Sequence, residues 1–171
     1  MAPDSDGPAG PTTTTTRRVR LPPRWFIRAA WVAHRAYYRV TGGRRGLWLP
    51  TDGGKFGAMR LHTVGRHSGK QRAAILGYYE DGPAVVTLAM NGWGEGDPAW
   101  WLNLQMHPDA RVDLRNGTRA VRARVAEGEE RARLWARFGE YTGWGEGLEP
   151  YAALRSTETA VVVLEPRDGA A

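Results

Sequence analysis

Positively charged side chains and glycines are concentrated in one short stretch, TVGRHSGKQR, at residues 63–72. Arginine guanidinium groups match phosphate and carboxylate oxygens, and glycines allow backbone N–H groups to converge on one point. The stretch therefore predicts an anion site, with Arg66, Lys70 and Arg72 as its cations and Ser68 as a further hydroxyl donor. The alternative is an exposed, charged hairpin, since glycines and cations are common in exposed turns.

Two familiar motifs are excluded for this stretch. A Walker phosphate loop has four residues between its glycines and Ser or Thr after the lysine, whereas here three residues separate Gly65 from Gly69 and Gln71 follows Lys70. The nucleophile elbow Gly-x-Ser-x-Gly is also absent, because Ser68 directly precedes Gly69. What remains is a tight connection between two strands.

A second stretch, MNGWGEGDPAWWLN at residues 90–103, combines glycines with planar and amide side chains. The side chains are those of Trp93, Trp100, Trp101, Asn91 and Asn103. Aromatic faces beside glycines suit a planar heterocycle, and amides could bond its heteroatoms. The alternative is a set of core aromatic residues beside a flexible loop.

Other kinds of catalytic site find little support. The chain has no cysteine, its four histidines show no metal-ligand spacing, and it has three serines. We therefore expect no metal site and no serine or cysteine nucleophile. An enzyme built around an anion pocket and a planar platform would leave the difficult chemistry to a cofactor.

The basic excess belongs to the N-terminal part of the chain. Residues 1–57 carry ten Lys or Arg and three acids, whereas residues 58–171 carry fourteen and fifteen, for a total net charge of +6. Nucleic-acid-binding domains usually spread their cations over one face of the fold, so we expect no nucleic-acid partner. Without a signal peptide or a membrane span, we expect a cytoplasmic protein.

The composition divides the chain into three segments. Residues 1–16 are rich in Pro, Gly and Thr and predict a disordered tail. Residues 17–45 predict a basic amphipathic helix, which either packs on the body of the protein or contacts anionic lipid at the inner face of the membrane. Residues 46–171 are long enough for one core, and we expect them to form the functional domain.

The order of predicted elements is helix, three strands, short helix, hairpin, helix and strand. Asn116-Gly117 between two alternating runs predicts a type I′ hairpin. Antiparallel neighbours with few crossovers predict an α+β fold, mainly antiparallel β, and a small barrel rather than a doubly wound sheet.

Several segments, taken together, resemble the deazaflavin-dependent nitroreductase family. They are LHTVGRHSGKQRAAILGYYEDG, NGWGEGDPAWWLNLQMHPDARVDL and YAALRSTETAVVVLEP, and the match runs in order over residues 24–166. The resemblance implies a split β-barrel of the FMN-binding type, with an N-terminal helix and flanking helices. It also implies that the chain binds coenzyme F420, a 5-deazaflavin whose phosphate and oligoglutamate tail are anionic.

The resemblance further implies which residues hold the coenzyme. Those expected at its phosphate and tail are Arg66, His67, Ser68, Gly69, Lys70 and Arg72. Those expected along its ring are Leu76, Tyr78, Met90, Asn91, Gly92, Pro98, Ala99, Trp100 and Asn103. Tyr151 matches a tyrosine of the substrate pocket and is the candidate proton donor, with water as the alternative.

The implied reaction is hydride transfer from reduced F420 to an electron-poor small molecule, such as a quinone, a nitro compound or an activated C=C bond. His67, Met90 and Trp93 stand where the family usually has other residues. Glu158 and the glycine-rich piece at residues 143–150 also depart from the family pattern, at the end where the substrate is expected, so the acceptor stays open. Three alternatives also stay open: an FMN-dependent reductase of the same fold, a deazaflavin carrier without turnover, and a non-enzymatic protein that binds membranes through residues 17–45.

Overall fold

The chain forms a closed six-stranded antiparallel barrel, seen in a computed structural model that describes residues 46–51, 54–141 and 147–167. The strands are β1 Gly57–Val64, β2 Gln71–Asp81, β3 Ala84–Leu88, β4 Asp109–Leu114, β5 Gly117–Val125 and β6 Val161–Pro166. The helices are α1 Ala99–Met106, α2 Gly128–Gly139 and the short α3 Glu149–Ala152, and a 3-10 turn spans Asn91–Trp93. The predicted mainly antiparallel barrel with flanking helices is confirmed.

Around the barrel the strands follow the order β1-β2-β3-β6-β5-β4, and β4 pairs with β1 to close it. The pairs β1–β2, β2–β3 and β4–β5 form hairpins, whereas β6 follows two helices and lies between β3 and β5. The pairing of β1 with β2 runs from Gly57 opposite Tyr78 to Val64 opposite Gln71, so the loop at residues 65–70 joins two strands paired to their ends.

Alternation along the strands separates two apolar layers. The barrel interior contains Met59, Leu61, Tyr78, Val85, Val112 and Leu164, and α1 adds Trp101 and Leu104 to it. The second layer lies against α2 and contains Tyr79, Val86, Val163, Leu134 and Phe138. Adjacent residues such as Tyr78 and Tyr79 belong to different layers because successive strand side chains point to opposite faces. Helix α1 therefore covers the interior, and α2 covers the outer face.

The hairpin of β4 and β5 is present, but its turn is not type I′. Leu114 pairs with Gly117, so the two loop residues are Arg115 and Asn116. A type I′ turn requires positive φ at both loop residues, and neither has it. The predicted turn type is wrong because the register places Gly117, with a φ of 142°, at the start of β5 rather than inside the loop.

Two expectations concern parts of the chain that the structure does not describe or test. The N-terminal tail and the basic helix, residues 1–16 and 17–45, lie outside the described residues, and the boundary at residue 46 stays a prediction. Within the described ranges, no helix is both long and apolar enough to cross a membrane.

The docking of α2 on the barrel predicts a pH dependence of stability. Arg133 donates to both carboxylate oxygens of Asp81, at 3.0 and 2.8 Å, and Arg137 donates at 2.9 Å. These contacts, the hydrogen bond from Arg133 first, hold the pKa of the Asp81 carboxyl below its usual value. The ion pairs therefore stabilise the fold above the usual carboxyl pKa of about 4, and this contribution is lost as pH falls through the folded-state pKa.

We expect Asp81→Asn to lower the free energy of unfolding at neutral pH by about 1 kcal/mol and to flatten the loss of stability in acid. Urea titrations between neutral pH and pH 3 measure both effects. Glu140→Gln, which alters an exposed carboxylate at the end of α2, is the control. An acid profile of Asp81→Asn that parallels the wild type would contradict the assignment.

Candidate functional site

The loop at residues 65–70 is closed by its own backbone. Gly65 N–H donates to the Lys70 carbonyl at 2.9 Å, and the N–H groups of Ser68 and Gly69 donate to the Gly65 carbonyl at 3.1 and 2.8 Å. Lys70 N–H is directed at Ser68 Oγ, 3.4 Å away. These four N–H groups are used within the loop, so the prediction that they converge on an anion is wrong for them. We therefore expect anion binding at this loop to depend mainly on side chains.

Close packing favours glycine at position 65. A Cβ there would lie 2.8 Å from Ser68 Oγ and 3.2 Å from the Lys70 carbonyl oxygen. At Gly69 the requirement is conformational, because its φ of 62° is one that side chains disfavour. The two glycines fix a compact loop from which cationic side chains extend.

Asn103 joins this loop to α1 and β1. The side chain is buried, with 5% of the residue exposed, and both ends of its amide are hydrogen bonded. Its Oδ1 accepts the N–H of Arg66 at 3.1 Å, and its Nδ2 donates to Thr63 Oγ1 at 3.1 Å. This amide therefore joins the loop, α1 and β1, and its contact with a ligand ring stays a prediction.

A cavity of about 520 Å³ lies between the loop, β2 and α1. Its lining residues are Thr63, Gly65, Arg66, His67, Ser68, Arg72, Ala73, Ala74, Ala99, Trp100 and Asn103. They include two arginines and no carboxylate, so the potential inside favours an anion. Three alanines and a tryptophan supply the apolar part of the lining, which suits a flat ring.

Seven of the predicted coenzyme-binding residues line this cavity: Arg66, His67, Ser68, Arg72, Ala99, Trp100 and Asn103. Eight others do not line it: Gly69, Lys70, Leu76, Tyr78, Met90, Asn91, Gly92 and Pro98. The candidate set had not included Thr63, Gly65, Ala73 and Ala74. Strand alternation could have identified two of these. Thr63 comes two residues after Leu61 on the inward face of β1, and Ala74 comes two residues before Leu76 on the inward face of β2.

Leu76 and Tyr78 face the barrel interior. Tyr78 is fully buried, and its hydroxyl has no hydrogen-bond partner among the described residues. Burial, reinforced by the charge of Glu80, raises the pKa of Tyr78 to about 12. The phenol is therefore protonated at neutral pH and contributes no charge to the interior.

The loop before α1 is strained. Asn91, Gly92 and Trp93 have positive φ values of 48°, 61° and 61° in succession. The amide nitrogen of Asn91 donates to the carbonyls of Glu95 and Gly96, at 3.0 and 3.2 Å, so it stabilises its own loop. This segment leads directly into α1, and through it into the cavity wall.

The three tryptophans of this region occupy different environments. Trp101 belongs to the interior core and Trp93 to the outer layer, with 7% and 4% of the residues exposed. Trp100 is the one of the three that lines the cavity. The predicted planar platform therefore reduces to a single indole ring.

Tyr151, the candidate proton donor, lies on α3 and packs against the outer layer. Its ring centroid is 5.7 Å from that of Trp93. It is not among the residues that line the cavity. Its role in proton transfer stays a prediction.

Sequence and structure comparisons agree on the class of protein. The F420H(2)-dependent quinone reductase family matches residues 31–166, and the chain belongs to this family. Its relatives include Rv3178 of Mycobacterium tuberculosis, which carries the name of an F420H(2)-dependent quinone reductase. The two are 36% identical over 97 residues, an alignment covering 53% of this chain and 82% of the relative.

Solved structures share the fold. An F420-H2 dependent reductase, FDR-A, is 24% identical with a TM-score of 0.55, over 70% of this chain and 100% of that one. A domain-swapped dimer is 22% identical with a TM-score of 0.55, over 81% of this chain and 99% of that one. These likenesses support the split barrel.

Family membership confirms the predicted oxidoreductase class and the predicted cofactor, coenzyme F420. It does not support the FMN-dependent and non-enzymatic alternatives. Family membership does not by itself identify the acceptor as a quinone or assign roles to individual residues.

Proposed function

We propose that this chain reduces quinones with hydride from F420H2, and that the cavity beside residues 65–72 holds the coenzyme. The observation that carries the proposal is the lining of this cavity, which combines two arginines with an indole ring and three alanines. F420 has the matching chemistry, an anionic phosphate and tail joined to a planar ring.

The described residues fit this coenzyme. Arg66 and Arg72 would pair with phosphate or carboxylate oxygens, because guanidinium groups form strong charge-assisted hydrogen bonds with them. Ser68 Oγ, 3.5 Å from a terminal nitrogen of Arg72, would add a hydroxyl contact. The planar ring would lie against Trp100, whose indole matches it in shape.

Bound F420H2 would supply a hydride, and the acceptor would take up that hydride and one proton to become a quinol. The chain would orient the two reactants and exclude water from between them. Asn103 and the loop before α1 would keep the wall of the cavity fixed. The proton would come from Tyr151 or from water.

The family name and that of the relative Rv3178 favour a quinone over the other electron-poor acceptors. Nitro compounds and activated C=C bonds are the competing acceptor classes. They accept the same hydride, so the choice between the classes rests with the acceptor site.

Two measurements test this proposal. Tryptophan fluorescence titrations should give saturable binding of F420, with FMN and NADH at least about tenfold weaker, because neither carries the oligoglutamate tail. Anaerobic assays should then show F420H2 oxidation with a quinone at a higher kcat/KM than with a nitroaromatic or an activated alkene. Binding without oxidation by any acceptor would indicate a carrier, and preferred binding of FMN would contradict the coenzyme assignment.

A further inference from the structure

Arg155 is a buried cation outside the cavity. Its side chain is 0% exposed, although arginine normally keeps its guanidinium in water. It lies three residues after the end of α3 and contacts the loop that precedes α1. Sequence reasoning did not select it, since nothing near it in the chain marks it as buried.

Both terminal nitrogens of Arg155 are fully used. Nη1 donates to the Ala89 carbonyl and to Thr159 Oγ1, both at 2.8 Å. Nη2 donates to the Gly96 carbonyl and to Asp97 Oδ1, both at 3.1 Å. Since Ala89 and Asp97 lie at the two ends of one loop, a single guanidinium fastens both ends.

The neighbouring residue reinforces this contact. Ser156 donates to the Glu95 carboxylate through its backbone N–H at 3.0 Å and through its hydroxyl at 2.8 Å. The segment at residues 155–156 therefore holds the loop through five hydrogen bonds, and a sixth joins Arg155 to Thr159 outside the loop.

The loop at residues 89–97 needs such support because part of its backbone has positive φ values. Two of its three consecutive residues with positive φ, Asn91 and Trp93, are not glycines, and such conformations persist only where surrounding contacts impose them. The last fastened residue, Asp97, is followed at once by Pro98 and α1. Ala99 and Trp100, the next two residues, line the cavity.

We infer that Arg155 is a positioning residue for hydride transfer: it holds the loop at residues 89–97, and through α1 it sets where Trp100 stands in the cavity. The inference rests on the proposed function. It predicts that Arg155 controls the rate of the chemical step more than coenzyme affinity, because Arg66 and Arg72, which would bind the anionic end, are not among its hydrogen-bond partners.

The shape of the side chain is as important as its charge. Four acceptors surround two nitrogens held in one plane, and the single ammonium of lysine cannot reach both ends of the loop with the same geometry. Lysine would preserve the charge beside Asp97 but would lose some of the hydrogen bonds to the loop. Glutamine would lose the charge and most of the contacts.

The test compares Arg155→Gln and Arg155→Lys with Arg131→Gln. Arg131 is the matched control because its partners lie outside the loop: the Thr159 carbonyl at 3.4 Å, Glu158 at 2.7 Å and the ring of Trp135. The measurements are kcat for quinone reduction at saturating F420H2, the Kd for F420, and hydrogen exchange of residues 89–97 without coenzyme. All are made well below the measured Tm of each variant.

We expect Arg155→Gln to lower kcat at least tenfold, to change Kd less than threefold, and to speed exchange in the loop at least tenfold while β1 is unaffected. Arg155→Lys should recover part of kcat, and it carries the test if the glutamine variant does not fold. Unchanged kcat and exchange, or equal effects in Arg131→Gln, would overturn the inference. The exchange result stands even if the wild type proves inactive with quinones, which separates this inference from the proposed function.

Discussion

Replacing Arg66 and Arg72 together by alanine should weaken F420 binding by about 100-fold or more. Both side chains line the cavity, and none of its lining residues is acidic. Each charge-assisted hydrogen bond contributes about 1.5–3 kcal/mol, so the loss of two costs about 3 kcal/mol at the least, and a tenfold change in Kd corresponds to about 1.4 kcal/mol. Fluorescence titration with F420 measures the change directly.

A pair of substitutions with the same change in net charge provides the control. Arg115→Ala with Arg122→Ala removes two exposed arginines of the β4–β5 hairpin, which do not line the cavity. We expect less than a threefold change in the Kd for F420. Lys70→Ala should fall between the two, since Lys70 belongs to the loop but does not line the cavity. Equal losses in the two double variants would show a general effect of charge rather than a site.

Asn103→Leu should destabilise the protein and weaken coenzyme binding together. The substitution nearly preserves the size of the side chain but removes the acceptor of Arg66 N–H and the donor to Thr63. Each buried group left without a partner costs about 1–3 kcal/mol, so we expect Tm to fall by at least about 4 °C. Because the loop loses its anchor to α1, we also expect the Kd for F420 to rise about tenfold.

Gln105→Leu makes the same kind of change at an exposed position of α1. It should leave both Tm and Kd near the wild-type values. If Asn103→Leu lowers Tm without any effect on Kd, the loop does not depend on Asn103 for its binding geometry. If neither value changes, the hydrogen bonds of Asn103 contribute little.

Local patterns in the sequence were enough to predict the strands of the barrel. Alternating apolar residues predicted the strands, and Asn116-Gly117 located the β4–β5 hairpin. The turn type failed because the pairing register, which places Gly117 after the loop, depends on contacts along the whole hairpin. Two of the three cations predicted at residues 63–72, Arg66 and Arg72, line a cavity, and their contact with an anion stays a prediction.

Long-range contacts account for what the sequence did not reveal. Asn103 bonds to Arg66 and Thr63, which are 37 and 40 residues away, and Arg155 bonds to Ala89, which is 66 residues away. No local pattern marks either side chain as buried and hydrogen bonded. The resemblance to the deazaflavin-dependent enzymes predicted Asn103 near the coenzyme, but only the fold showed that its amide also bonds to Arg66 and Thr63.

The backbone of the loop at residues 65–70 shows a second limit of prediction from the sequence. Glycines at 65 and 69 suggested N–H groups turned toward an anion, and the same glycines in fact allow the loop to close on its own carbonyls. Both arrangements need the conformational freedom of glycine, so the sequence alone could not separate them.

The most direct test of the central claim is a crystal structure of the protein with F420 bound. The account predicts the coenzyme phosphate or tail within hydrogen-bond distance of Arg66 and Arg72, and the deazaflavin ring beside Trp100. Ordered coenzyme whose anionic end lies away from both arginines would contradict it.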